Sequence, residues 1–253
     1  MVKKKDPRPL TEKTLQTYAK ALFEPIKQGE SVTAVWVPMA GRRMITKYII
    51  YNLHLFSEIL PDPDQYLMVY VEPLDLVDES LTGYLRLMGL SFIEVCKANS
   101  GCKLKLEKHE AVFRDEKIAY AALLGQLKEM IQEAIEQNLE VVFFLGEFDE
   151  LSFANKIFCN NLKSFWASLR PALHYVFLMR ENITASHLIK GFGELAEAIL
   201  QNVFFVPLLS DQDVDYLINL FGERLQTKFG EFEKKAMVKI CGSHPFLLKV
   251  ACR

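Results

Sequence analysis

Five short apolar runs decide what kind of fold this chain of 253 residues can adopt. They are Val32–Val37 (VTAVWV), Leu67–Val71 (LMVYV), Val141–Leu145 (VVFFL), Tyr175–Met179 (YVFLM) and Val203–Val206 (VFFV). Each is rich in β-branched or aromatic residues, and none alternates apolar with polar. Such runs fit strands covered on both faces, as in a parallel sheet. Helical patterns separate them. Met44–Leu60 repeats apolar residues at Ile45, Ile49, Leu53 and Phe56, and the Pro61–Asp64 segment (PDPD) ends it, because proline cannot continue a helix. Ala119–Asn138 places Ala122, Leu123, Leu127, Met130, Ile131 and Ile135 on one stripe, with charge on the other face. Asn155–Leu169 and Ala185–Leu200 are further helix candidates, and Leu15, Tyr18, Leu22 and Phe23 mark a helix near the N-terminus. Strands alternating with helices specify an α/β fold with crossover connections.

The pattern changes after Pro207. Ser210 caps an acidic first turn, a helical stripe follows, and a Gly-Ser-His-Pro turn at 242–245 separates two further helical segments. Residues 1–207 therefore read as the α/β domain, with residues 1–30 as an N-terminal tail and helix. Residues 208–253 read as a small helical lid that stops inside an apolar helix. Residues 80–118 are expected to form a hairpin or an irregular insertion, with Cys96 and Cys102 inside it; His109 and Glu107 are the only further ligand types nearby, too few to argue for a metal there.

Charge excludes some classes of function. Thirty basic residues face 32 acidic ones, for a net charge of −2. No basic excess exists to attract a phosphate backbone, so the charge gives no sign of a nucleic-acid protein; a nucleic-acid partner is undetermined. Lys3–Lys5 read as a solvated tail. The five cysteines (Cys96, Cys102, Cys159, Cys241, Cys252) are odd in number, widely spaced and without a CxxC pair. They fit a reducing, cytoplasmic setting rather than a disulfide framework. The N-terminus has no apolar core of a signal peptide, and no apolar run is long enough to span a membrane.

Two short stretches carry the functional question. The first follows the first strand: Val37-Pro38-Met39-Ala40-Gly41-Arg42-Arg43-Met44. A strand, a tight turn and a helix is the layout of a phosphate-binding loop, in which backbone N–H groups and a helix N-terminus face the anion, a lysine reaches the outer phosphates and a hydroxyl holds magnesium. Laid on G-x-x-x-x-G-K-[ST], Val37 takes the first glycine, Arg42 the second, Arg43 the lysine and Met44 the hydroxyl. A side chain at 42 resists the positive φ that glycine adopts freely. Arginine fits a lysine pocket poorly, though its fork can hold phosphate. Methionine offers magnesium no oxygen. Taken alone, the stretch reads better as an ordinary strand-to-helix turn. Lys47, one turn after Arg43, reaches a phosphate only if the loop is shifted; otherwise it is a surface lysine.

The second stretch is Glu140–Phe153 (EVVFFLGEFDELSF). In many phosphohydrolases an apolar strand ends in Asp-Glu, the aspartate binding magnesium through water and the glutamate polarising the attacking water. Here Gly146 takes the aspartate's place and Glu147 the glutamate's. Both expected magnesium ligands are thus absent, Met44 standing for one and Gly146 for the other. On general grounds the alternative is a solvated acidic turn.

With these pieces in order, the chain resembles the ATPase module of the STAND and archaeal-ATPase branch of the AAA+-related P-loop proteins. The order is the loop at 37–44, YLMVYVEPLDL, VVFFLGEFDEL, LHYVFLMREN, VFFVPLLSDQDVDYLI and ICGSHPFLLKVA. The most specific piece, Gly242–Lys249 (GSHPFLLK), is similar to the Gly-x-His-Pro turn of that branch's helical lid. The resemblance runs over residues 20–253. It implies a three-layer P-loop fold with a five-stranded parallel sheet in the order 5-1-4-3-2, a C-terminal lid, and nucleotide at the strand carboxyl ends. It places Pro38, Met39, Ala40, Gly41, Arg42, Arg43 and Met44 where phosphates bind, and Glu147 at the catalytic place, there vestigial. It places Arg180 and Asn182 where the family keeps a polar sensor, with His244 and Pro245 in the lid turn facing the nucleotide. A lone histidine before proline otherwise caps a helix end.

Three functions follow as expectations. The first is a degenerate, pseudo-ATPase module that regulates or assembles, binding ATP or ADP without magnesium and hydrolysing little or none. The second is an active ATPase switch with Arg43 in place of the lysine. The third is a protein-interaction scaffold that binds no nucleotide. Protein partners or self-assembly are expected, and a membrane is not.

Overall fold

The structure is a computed structural model that describes residues 8–60, 62–181, 183 and 190–253. The chain divides into two compact units: Met1–Ala21, Trp36–Glu58 and Phe205–Arg253 form one, and Leu22–Val35 with Ile59–Phe204 form the other.

The second unit holds the sheet except for its last residue, Phe205. Strands β1 (Val32–Val35), β2 (Tyr66–Val71), β3 (Glu140–Gly146), β4 (Leu173–Met179) and β5 (Val203–Phe205) run in the order β2-β3-β4-β1-β5. This is the expected 5-1-4-3-2 order. The β2–β3, β3–β4 and β1–β4 pairs are all parallel, with Val69 opposite Phe143, Phe144 opposite Val176 and Ala34 opposite Leu178. Every residue of β4 is buried, as is β3 from Val141 onward. That accounts for their unbroken apolar sequence, since a strand covered on both faces has no solvent side to mark with polar residues. The edge strand β2 alternates between half-buried and buried positions.

Helices cover both faces. Phe144 meets Phe23 of α1 (Glu12–Lys27) at 6.2 Å on one face, while Phe143 stacks on Phe92 of α3 (Leu81–Ala98) at 6.2 Å on the other. Burying side chains of this size contributes about 1.5–3 kcal/mol each. The second layer is completed by α4 (Leu106–Arg114), α5 (Tyr120–Glu136) and α6 (Lys156–Leu169), with α7 (Ala196–Leu200) before β5.

Residues 80–118 correct the expected hairpin or irregular insertion: they form α3 and α4. The Ser80 hydroxyl accepts the Gly83 N–H at 3.0 Å and starts α3. Gly89 then lets Phe113 of α4 close in, because a Cβ at Gly89 would lie 2.4 Å from that ring. The sequence stripe over Met44–Leu60 is also shorter as a helix. Helix α2 covers Arg42–Ile50, and the Asn52 side chain turns back to donate to the Tyr48 carbonyl at 2.6 Å, where the chain leaves the helix. Of the expected helix at Ala185–Leu200, residues 185–189 lie outside the described residues.

The first unit contains the start of α1, α2 and three helices of the C-terminal segment: α8 (Asp211–Leu225), α9 (Glu231–Cys241) and α10 (Pro245–Ala251). Tyr18 of α1 sets its ring edge-on against Trp36 at 5.9 Å. The buried carboxylate of Asp213 joins α1 to α8. It accepts hydrogen bonds from the Thr11 hydroxyl (2.7 Å) and backbone N–H (3.0 Å), from the Thr14 hydroxyl (2.6 Å) and from the Ser210 hydroxyl (2.5 Å). A carboxylate removed from water needs this many donors.

Candidate functional site

The loop between β1 and α2 is built by two left-handed residues. Ala40 N–H donates to the Val37 carbonyl at 3.2 Å and closes a four-residue turn. Its third residue, Met39, has φ +61°, and Gly41, the cap of α2, has φ +83° and ψ 22°. Gly41 adopts this at no steric cost, whereas methionine at φ > 0 costs about 1–2 kcal/mol. Such a conformation held against its own preference is often found at ligand sites.

This corrects one expectation. Arg42 does not occupy a position that demands glycine: it is the first residue of α2, helical and buried. The glycine-like positions are 39 and 41, and the sequence meets that demand at one of them.

In the first turn of α2 the Ile45 N–H donates to Gly41 O at 3.0 Å. A helix start of this kind presents N–H groups and the positive end of the helix dipole. The first turn has no acidic residue and instead begins Arg42-Arg43. Cations at a helix N-terminus oppose the dipole by about 0.3–1 kcal/mol each. An anion there is attracted by the dipole. Met39 and Met44 expose 67% and 59% of their surface beside this helix start. Lys47 is half-buried on α2.

In the same unit His244 caps α10. Its Nδ1 accepts the Phe246 N–H at 3.2 Å, and its Nε2 lies 3.0 Å from the Pro38 carbonyl oxygen. Pro245 is the first residue of α10, where a missing N–H has no cost.

The carboxylates belong to the sheet unit. β3 ends at Gly146, and Glu147 follows with φ +46°, buried to 7% exposure. Arg180, just past β4, grips the turn. Its Nη2 bonds Glu147 Oε1 and its Nη1 bonds Glu150 Oε1 at 2.7 Å. Asp149 Oδ2 accepts the backbone N–H groups of Arg180 (2.8 Å) and Glu181 (2.7 Å). The acidic turn is thus tied to the end of β4, with Glu147 buried and Glu150 exposed. A general base must aim a lone pair at water, and the guanidinium takes Oε1 of this one.

Gly146 has a close neighbour too. A Cβ built there would lie 3.1 Å from the Val71 carbonyl oxygen and 3.5 Å from Oε1 of buried Glu72, which follows β2. A cavity of about 150 Å³ lies beside the turn, lined by Pro73, Leu74, Glu79, Glu147, Glu150 and Phe153 among others. It is smaller than the roughly 300–1,000 Å³ of small-molecule pockets. Among the described residues no three His, Cys, Asp or Glu side chains come together in a way that would hold a metal ion.

Sequence reasoning missed Asp149 as the anchor of residues 180–181, and it missed Glu72. A polar residue directly after an apolar strand, as in Tyr70-Val71-Glu72, was the available signal for the latter. Asn182 lies outside the described residues.

Solved structures share this arrangement of strands and helices. The ORC2 protein of Aeropyrum pernix, determined as ADPNP–ADP complexes, matches with a TM-score of 0.59 and 10% identity, over 94% of this chain and 59% of that one. The Walker-type ATPase paby2304 of Pyrococcus abyssi matches with a TM-score of 0.63 and 14% identity, over 92% of this chain and 65% of its own. The ORC1 protein of Aeropyrum pernix, solved in complex with DNA, matches with a TM-score of 0.59 and 10% identity, over 99% of this chain and 62% of its own. The chain has the P-loop nucleoside-triphosphatase fold. It spans about three fifths of the length of these neighbours. No family model and no curated protein matches it. Among the described residues no helix is long and apolar enough to cross a membrane.

Proposed function

We propose that this chain is a degenerate nucleotide-binding module of the STAND/AAA+ type, a pseudo-ATPase that works by regulation or assembly rather than by turnover. The observation that carries the reading is the Arg180 guanidinium bonded to Glu147, the one catalytic-place carboxylate left. It is joined by Met44 and Gly146, which offer magnesium no side-chain oxygen. ATP or ADP binds by its phosphates at the start of α2, through Arg42, Arg43 and the backbone of residues 38–44, without a metal. Nucleotides in the Aeropyrum ORC2 neighbour support this choice of ligand. Residues 1–207 supply the nucleotide fold and 208–253 the lid, and the resemblance assigns sensor roles to Arg180, Asn182, His244 and Pro245.

A ligand that binds only the folded chain stabilises it, by about 2.7 kcal/mol at a hundred times its dissociation constant. ATP with EDTA is therefore expected to raise the melting temperature, and Arg43→Ala to remove most of that rise. No rise in the wild type would leave the interaction scaffold as the better reading.

The regulatory half of the proposal needs a protein surface. Phe232 and Ile240 of α9 expose 86% and 82% of their surface, and Leu247 and Val250 of α10 are exposed as well. Large apolar side chains exposed on the surface are candidates for an interaction site. We take these exposed positions of the lid as the contact for a protein partner or another copy. Sedimentation velocity at rising concentration is expected to show self-association that Ile240→Glu weakens; a strict monomer with either sequence would remove the self-assembly form of the proposal.

A further inference from the structure

The turn at 37–40 and the cap of α10 meet at one hydrogen bond. Proline holds residue 38 near φ −65°, and Met39 stands at φ +61°. Positive φ at the third residue makes this a type II turn; in type I the same residue lies near −90°. The two types differ by a flip of about half a turn in the central peptide, which here joins Pro38 to Met39.

His244 holds that peptide. Its Nδ1 accepts the Phe246 N–H, so Nδ1 carries no proton. In the neutral ring the proton is then on Nε2, 3.0 Å from the Pro38 carbonyl oxygen. Nε2–H donates to the one carbonyl whose direction separates the two turn types. The same ring thus caps α10 with one nitrogen and fixes the loop with the other.

We infer that His244 is a latch: its hydrogen bond to Pro38 keeps the Pro38–Met39 peptide in the type II orientation and so positions the backbone that faces a bound phosphate. Without the latch the turn relaxes to type I. Met39 returns to negative φ, which a methionine prefers, and the Pro38 carbonyl and Met39 N–H exchange sides. The effect on phosphate affinity rests on the nucleotide reading above; the latch itself does not. His244 is a positioning residue, acting through the turn.

Two substitutions test it. His244→Asn keeps a strong helix cap but has a side chain too short to reach Pro38. Met39→Gly removes the cost of the left-handed residue. Melting temperatures of the wild type, both single variants and the double variant are compared without ligand. Met39→Gly is expected to raise the wild-type melting temperature by about 2 °C. In the His244→Asn background it is expected to lower it by a similar amount, because there only glycine's extra freedom in the unfolded chain remains. Equal shifts in both backgrounds overturn the latch. Titration with inorganic pyrophosphate then tests the positioning. A fall in affinity of about fivefold in His244→Asn is expected, the loss of one hydrogen bond's worth of order. Equal affinity in the two proteins overturns the positioning role. A wild type that ignores pyrophosphate overturns the nucleotide reading, while the four melting temperatures still decide the latch.

Discussion

Asp213→Ala is expected to lower stability by about 3–5 kcal/mol, a fall in melting temperature on the order of 10 °C. The carboxylate is fully buried and takes hydrogen bonds from Thr11, Thr14 and Ser210. Alanine would strand three hydroxyls and one backbone N–H, and each buried group left without an acceptor costs about 1–3 kcal/mol. Asp213→Asn keeps one carbonyl acceptor and should fall between the two. Urea unfolding measures both, and a loss below about 1 kcal/mol for alanine would mean that the cluster does not join α1 to α8 as described. The same group sets a pH dependence. Burial pushes its carboxyl upward, but the hydrogen bonds from Ser210, Thr14 and Thr11 outweigh this and hold it below the ordinary range. A folded-state value below the unfolded one, about 3.9, means that this contribution is complete above that pH and is lost as the pH falls through the folded value. The difference in stability between wild type and Asp213→Ala should therefore be constant at neutral pH and shrink only below about pH 4.

Gly146→Asp, the substitution that would restore a magnesium ligand by sequence pattern, is expected to destabilise the chain by about 3 kcal/mol. Its Cβ would press on the Val71 carbonyl, and its carboxylate would enter a buried space already faced by Glu72. Like charges a few ångströms apart and out of water repel strongly, and one of the two is driven to stay protonated. Glu72→Gln in the same chain should recover much of the loss. An aspartate at 146 that leaves urea unfolding unchanged would show that Glu72 does not close this space. Restoring Lys at 43, Thr at 44 and Gly at 42 leaves this obstacle in place, so repairing the loop alone is not expected to produce hydrolysis.

What the sequence reveals is uneven, and the reason is distance along the chain. The strands were legible because β3 and β4 are buried on both faces and carry no polar residue except at their ends and at His174. Their order followed from the resemblance, not from the runs. Helix α3 was obscured because its stripe is broken by Gly83 and Gly89, and the second glycine is explained only by Phe113, which arrives from α4. In the loop, the pattern marked residue 42 as the missing glycine; the backbone places its left-handed residues at 39 and 41. The Arg180–Glu147 pair joins residues 33 apart, and the Thr11–Asp213 contact joins residues 202 apart. Local periodicity has no access to either. His244 was legible as a cap, and its second hydrogen bond, to Pro38, was not.

The central claim is that the fold has outlasted its metal-dependent chemistry. The direct test is steady-state ATP hydrolysis by the whole chain, measured together with the ATP-induced melting shift, in magnesium and in EDTA. The same shift is expected in both buffers, with a turnover that Glu147→Gln does not change. A shift that appears only with magnesium, with turnover abolished by Glu147→Gln, would contradict it.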